Sequence, residues 1–287
     1  MLAIYKKELR SYFTSMIGYV FISVFLLIVG IFFVVQNLMS QSANIAYTLS
    51  GITFVFVLLV PLLTMRIMSE ENKQKTDQLL YTSPVTANGI VLGKFFAVLT
   101  IFGMVMLITC LFPLIMSLYG TIPMASGYSS IFGFLLLGTA YLSIGIFISS
   151  LTESQVVAAV VTYIVFLLTI LMDSIASVVP TSNKATVLIF AVAVIAICGL
   201  LYVLMHNVII SVLVCILGEG ALAAIYFTKP TLFDGSLARV LDWFSVIKRY
   251  DTFSLGTFNV AAVVYYLSVT FLFGFLTTQV IMKKRWS

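Results

Sequence analysis

What this sequence has least of is charge. Of 287 residues only 25 are Asp, Glu, Lys or Arg, 9% of the chain, against roughly 25% in an ordinary soluble domain. The charges are also unevenly placed: none falls in 11–65 and none in 95–152. A soluble globular domain is therefore excluded. Three cysteines, Cys110, Cys198 and Cys215, all lie in apolar runs with no metal-ligand spacing and no disulfide framework. They read as small apolar residues. There is one histidine, His206, between two apolar runs and with no carboxylate near it. It reads as a polar turn residue, so no metal ligand set and no catalytic residue is expected. A membrane-embedded hydrolase would need convergent His, Asp or Glu groups, and the sequence does not supply them.

What the chain does have is long apolar runs. Hydrophobic residues make up 62% and the mean hydropathy is +1.17. A spanning helix takes about 20 apolar residues, so each of the two long charge-free gaps holds two spans. The runs are continuously apolar, without the period-two alternation of a membrane β-barrel. The expected fold is all-α, a polytopic transmembrane helical bundle of about eight spans, near 16–36, 47–66, 91–118, 129–151, 155–174, 186–205, 207–228 and 259–282. The pair at 186–228 forms a hairpin of two spans or of one re-entrant excursion. The whole chain, 1–287, reads as a single transmembrane domain.

Three segments are amphipathic rather than spanning. Residues 2–14 interleave Leu2, Ile4, Tyr5, Leu9, Tyr12 and Phe13 with Lys6, Lys7, Glu8 and Arg10, which suits a helix lying on the cytoplasmic interface. The apolar run after it ends in no small-residue cleavage site, so a signal peptide is not expected. Residues 232–253 place Leu237, Val240, Leu241, Phe244 and Ile247 on one face and Arg239, Asp242, Ser245 and Lys248 on the other. This segment reads as an amphipathic helix on the external surface, with Trp243 at headgroup level. With the N-terminus inside, ten of the fifteen Lys and Arg fall on inner segments, in line with the positive-inside rule. Both termini are then cytoplasmic in a multi-pass protein of the cell membrane.

The third amphipathic segment is "EENKQKTDQLLYTSPVTANGIVLGK", 70–94, which holds six of the 25 charged residues. Residues 70–81 read as a cytoplasmic helix. Glu70 and Glu71 suit its positive dipole end, Leu79, Leu80 and Tyr81 form an apolar tip, and Pro84 ends it. An exposed apolar tip held between two spans suits docking into a partner. "GIVLGKF" (89–95) is no phosphate loop, because three residues stand between its glycines and Phe95 replaces the magnesium-binding Ser or Thr. Glu219, in "LGEGALAA", is the one carboxylate in a late apolar run and the candidate intramembrane functional residue. Gly218, Gly220 and Ala224 around it also suit close helix packing.

The stretch "RIMSEENKQKTDQLLYTSPVTANGIVLGKFFA" (66–97) resembles the second-span, coupling-helix and third-span segment of ABC type-2 transporter permeases: an acidic pair, Thr-x-x-Leu-Leu, Ser-Pro and Leu-Gly-Lys. "IGIFISSLTESQVVAA" (144–159), "DTFSLGTFNVAAVVYYLSVTFLFGFLTTQVIMKKRW" (251–286) and "YKKELRSYFTSMIGYV" (5–20) resemble the gliding-motility-associated branch. That branch has six spans, so 186–228 stands out as an inserted hairpin. The resemblance implies a permease subunit that binds no cofactor itself. ATP and magnesium would belong to a separate ABC ATPase subunit, which Glu70, Glu71, Thr76, Leu79, Leu80, Tyr81, Ser83 and Pro84 would engage. A second permease copy or a homologous permease would complete the path, lined by 16–36, 47–66 and 155–174. Membrane lipid would surround it, and no nucleic acid is involved. Few charges line that path, which suggests an amphiphilic or apolar substrate, and the resemblance implies export. The alternative class, a secondary transporter or channel, calls for several intramembrane charges, and Glu219 is nearly alone.

Overall fold

The structure, a computed structural model, describes residues 1–76, 85–118, 120–178, 186–192, 194–195, 198, 215–220, 226, 228, 233 and 235–286. Among them every regular element is a helix. These are α1 (Leu2–Thr14), α2 (Ile17–Phe33, continued by a π-helical turn Val34–Met39), α3 (Ala46–Thr64), α4 (Arg66–Gln74), α5 (Ala87–Thr109), α6 (Leu111–Ser117), α7 (Met124–Leu151), α8 (Gln155–Val178), α9 (Ser236–Phe244), α10 (Tyr250–Ser254) and α11 (Val260–Trp286). Six helical runs among the described residues are long and apolar enough to cross a membrane: 17–39, 46–74, 87–117, 124–151, 155–178 and 260–285. They fall at the six spans expected from the apolar runs outside 186–228. The expected hairpin at 186–228 lies mostly outside the described residues; 186–192 and 215–220 within it are helical.

The chain divides into two compact units, 1–168 with 246–287, and 169–245. In the first, α7 is the central helix: 83% of its spanning window is buried, against 28% for α2 and 17% for α11. An aromatic cluster packs around it. Phe56 of α3 lies 5.8 Å from Phe25 of α2, 5.2 Å from Phe102 of α5 and 4.9 Å from Phe134 of α7. Such offset and edge-on pairs add to the packing that area burial alone provides. α7 also approaches α3 closely at Gly145, where any Cβ would collide with the side chain of Thr64. Helix association in lipid rests on such close packing, because lipid tails are as apolar as the side chains themselves.

Two spans are interrupted. Between α5 and α6 the break falls at Cys110, one turn before Pro113, whose missing N–H cannot continue the ladder. Between α3 and α4 it falls at Met65, where Ser149 of α7 inserts into the backbone ladder. Its hydroxyl donates to Met65 O at 3.0 Å and accepts from Met68 N and Ser69 N at 3.2 Å.

The segment expected as one amphipathic helix over 232–253 is instead two helices in its described part. α9 ends at Phe244, Ser245 is extended, 246–249 form turns, and α10 follows. The reason for the break is tertiary packing in the first unit. Val246 O accepts from Tyr266 Oη at 2.8 Å, Tyr250 packs on Phe134 at 5.7 Å, and Ser130 Oγ donates to Phe253 O at 3.1 Å. Tyr250 and Phe253 are both buried, which a continuous surface helix could not achieve.

Candidate functional site

At one end of the first unit α1, α4 and α5 meet on a buried lysine. Lys94, in the second turn of α5, is fully enclosed. Its ammonium reaches Glu8 Oε1 of α1 at 2.9 Å, Glu71 Oε2 of α4 at 2.8 Å and Ile67 O of α4 at 2.7 Å. Three acceptors match the three donors of an ammonium group. Glu71 extends the cluster through its other oxygen, which accepts from Lys7 Nζ at 2.7 Å. Two acids and two bases thus link α1 to α4 and α5, which lie more than 50 residues further along the chain.

The local sequence explains why they meet. α1 turns Ile4, Glu8 and Tyr12 inward, positions four apart that share one helix face. Gly93 lets α1 approach α5, because a Cβ there would stand 3.1 Å from Met1 O and 3.2 Å from Ile4. Further along α1, Tyr12 Oη donates to Leu63 O at 2.7 Å. Burial, with the Glu8 charge near it, pushes the Tyr12 phenol far up, so it stays a neutral donor. Burial alone would lower the Lys7 ammonium, but the bond to Glu71 and the charges of Glu71 and Glu8 outweigh that and raise it.

The other helix ends are fastened to the same region. Asn72 Nδ2 of α4 donates to Thr152 O after α7 at 3.2 Å, and Lys284 Nζ of α11 donates to Ser150 O at 2.9 Å. Arg285 Nη1 donates to Val85 O at 3.4 Å. The amino-terminal helix and the carboxy-terminal turn of α11 therefore lie at the same end of this unit. A cleft of about 270 Å³ opens beside the cluster, lined by Lys7, Ser11 and Tyr12 of α1 and by Arg66, Glu70 and Glu71 of α4, with Thr76 beyond.

Of the residues expected to engage a partner, Glu70, Glu71 and Thr76 come together at this cleft. Leu79, Leu80, Tyr81, Ser83 and Pro84 lie outside the described residues. The acidic pair does not open a new helix at 70, as its composition suggests. It sits in the last turns of α4, which continues from the second span and stops at Lys75. There Lys75 is left-handed (φ 56°), Lys75 N bonds Asn72 O at 3.3 Å and Thr76 N bonds Glu71 O at 3.1 Å. This is a Schellman stop, and it turns the chain sharply out of the helix. Glu70 pairs with Arg66 one turn before it.

Sequence reasoning missed Lys7, Glu8 and Lys94 as members of the site. The signal was present: Lys94 is the last charge before a 58-residue uncharged run, and Glu8 is the only acid in the first 69 residues. Glu219 lies in the helical stretch 215–220, half-buried, with its Oε1 enclosed and without a hydrogen-bond partner among the described residues. All three cysteines are free, and no cluster of metal-ligating side chains occurs among the described residues.

Residues 34–192, more than half of the chain, match the family described as ABC-2 family transporter protein. The chain belongs to that family. No curated protein matches it. An ABC-2 family chain is a multi-pass membrane protein, a transmembrane subunit that is not itself catalytic. Its matched region runs from the end of the first span to residue 192, and so takes in α4, the start of α5 and Lys94.

Proposed function

We propose that this chain is the permease subunit of an ATP-driven exporter, closest to the gliding-motility-associated branch, and that a separate ABC ATPase subunit docks at the cleft between α1 and α4. The observation that carries this reading is the Lys94 cluster. It joins α4, which is continuous with the second span, to α1 and α5 through buried ion pairs, so that a load applied at the cleft reaches a span directly. A chain without a phosphate loop has to obtain that load from a partner. Leu79, Leu80 and Tyr81, just beyond the Schellman stop, would fill the partner's groove. Glu70, Glu71, Thr76, Ser83 and Pro84 would shape the approach.

In this reading the Lys94 end is cytoplasmic and so are both termini, which is supported by the six spans of the core and by the shared end of α1 and the α11 carboxy-terminus. A second permease, identical or homologous, completes the path. The cargo is amphiphilic or apolar, consistent with the near absence of charge along the spans. ATP and magnesium reside in the partner. Coexpression with the cognate ATPase should give a copurifying complex whose ATP turnover requires that subunit's phosphate loop. Robust turnover by this chain alone, or no stable complex, would overturn the reading.

A further inference from the structure

On another face of the first unit, α5, α7 and α11 leave an apolar groove of about 500 Å³, within the roughly 300–1,000 Å³ of ligand-holding pockets. Val91, Leu92 and Phe95 of α5, Ile146 of α7, and Phe271 and Phe275 of α11 form its walls. The hydroxyls that reach it are already engaged. Ser143, Thr270, Thr277 and Thr278 donate to carbonyls of their own helices at 2.7, 2.8, 2.7 and 3.0 Å. The groove therefore offers alkyl and aromatic surface, plus the exposed amide of Asn88 at one end.

Its length and the charges beyond it both bear on what fits. From Leu267 to Thr278 it follows α11 for roughly 16 Å at 1.5 Å per residue. Half of a bilayer's hydrocarbon core is about 15 Å. Beyond the groove the last turn of α11 is cationic, with Lys283, Lys284 and Arg285. Arg285 is held beside the start of α5 by its bond to Val85 O, three residues before Asn88. That bond uses one of the five donors of a guanidinium.

We propose that this groove binds one acyl chain of an anionic phospholipid from the leaflet on the Arg285 side, with the phosphate at Asn88 and Arg285. Inside a bilayer the chain gains nothing from leaving water, since bulk lipid is equally apolar. Retention comes from the fit of the chain, and selectivity from the charge of the headgroup. The site is separate from the α1–α4 cleft and does not depend on an ATPase partner.

The test reconstitutes the full chain in vesicles of equal parts phosphatidylglycerol and phosphatidylcholine, extracts it gently, and counts retained lipids by native mass spectrometry. The wild type should retain phosphatidylglycerol over phosphatidylcholine by about fivefold, which is what about 1 kcal/mol from one basic residue at an anionic headgroup gives. At Gly274, which lines the groove, a Cβ would meet nothing within 4 Å. Gly274→Phe, and Gly274→Leu as a smaller plug, should therefore lose one lipid while keeping the wild-type unfolding temperature. Gly103→Phe, equally open but outside the groove, should keep the wild-type lipid count. Arg285→Gln should keep the lipid and bring the two headgroups toward parity. An unchanged count in both Gly274 variants overturns the proposal, as does equal loss in Gly103→Phe. A changed dimer fraction with unchanged lipid also overturns it, by making the groove a contact between permease copies.

Discussion

Replacing Lys94 by methionine keeps an unbranched side chain up to the position of Cε and deletes the ammonium group. Lys94 is 0% exposed, and the substitution removes three contacts at once, to Glu8, Glu71 and Ile67 O. Glu71 keeps its bond to Lys7, so one of the two acids remains paired. Glu8, at 8% exposure, is left as a buried carboxylate without its cation. Removing one partner of a buried pair costs about 3–5 kcal/mol, and the retained Lys7–Glu71 bond places the expected loss near the lower end, about 3 kcal/mol. Glu8→Gln in the Lys94→Met background should recover much of it, because a neutral amide no longer demands a counter-charge. Chemical unfolding in detergent of the wild type, both single variants and the double variant closes the cycle. Contacting charged pairs couple by about 0.5–3 kcal/mol, and the expected value lies in the upper half. Lys94→Arg should not rescue, since a planar guanidinium does not reproduce three bonds fanned from one nitrogen. Should Lys94→Met fall within about 0.5 kcal/mol of the wild type, as a surface substitution does, or should the double variant be additive, the cluster is not what joins α1 to α4.

Two further outcomes follow from the docking and orientation proposals. Leu79→Asp or Leu80→Asp should abolish ATPase pull-down while leaving the unfolding temperature unchanged, because a charge placed in an apolar groove without a partner typically costs several kcal/mol; wild-type binding by both would remove the docking role. In a background lacking Cys110, Cys198 and Cys215, Ser236→Cys and the exposed Thr257→Cys should react with an impermeant thiol reagent on intact cells. The exposed Lys6→Cys should react only once the cells are opened, and labelling of Lys6→Cys from outside would reverse the orientation.

The spans were legible because length and apolarity suffice to define them. Runs placed at 47–66, 129–151 and 155–174 became helices beginning or ending within a few residues of those bounds. Interruptions were less legible. Pro113 announces the break at Cys110, and Pro61 lies one turn before the break at Met65, but the bonds that hold the second break come from Ser149, 84 residues away. The 232–253 segment has a clean amphipathic stripe, yet Tyr250 and Phe253 are drawn into the core of the first unit and end the regular helix before them. Within the site, charge was read as solvent-facing. That holds for Lys6 and Arg10, and fails for Glu8 and Lys94, because a buried ion pair is specified by two residues that sequence order keeps apart.

Glu70 and Glu71 are adjacent and chemically alike, and their contacts separate them. Glu70 pairs with Arg66 one turn away on the same helix. Such (i, i+4) pairs contribute only a few tenths of a kcal/mol and tie α4 to nothing else. Glu71 bonds Lys94 of α5 and Lys7 of α1, while one residue later Asn72 bonds the carbonyl of Thr152 after α7. α4 is therefore held from three directions at the level of Glu71 and Asn72 and again at Ser149, one turn earlier. A push on the chain beyond Lys75 cannot be absorbed by bending α4 alone; it must displace α3, α5 and α7 together or break a buried ion pair. With the ATPase docked as proposed, Glu71→Gln should strongly lower the ATP turnover of the copurified complex and Glu70→Gln only weakly, although a composition-based reading treats the two as one acidic pair.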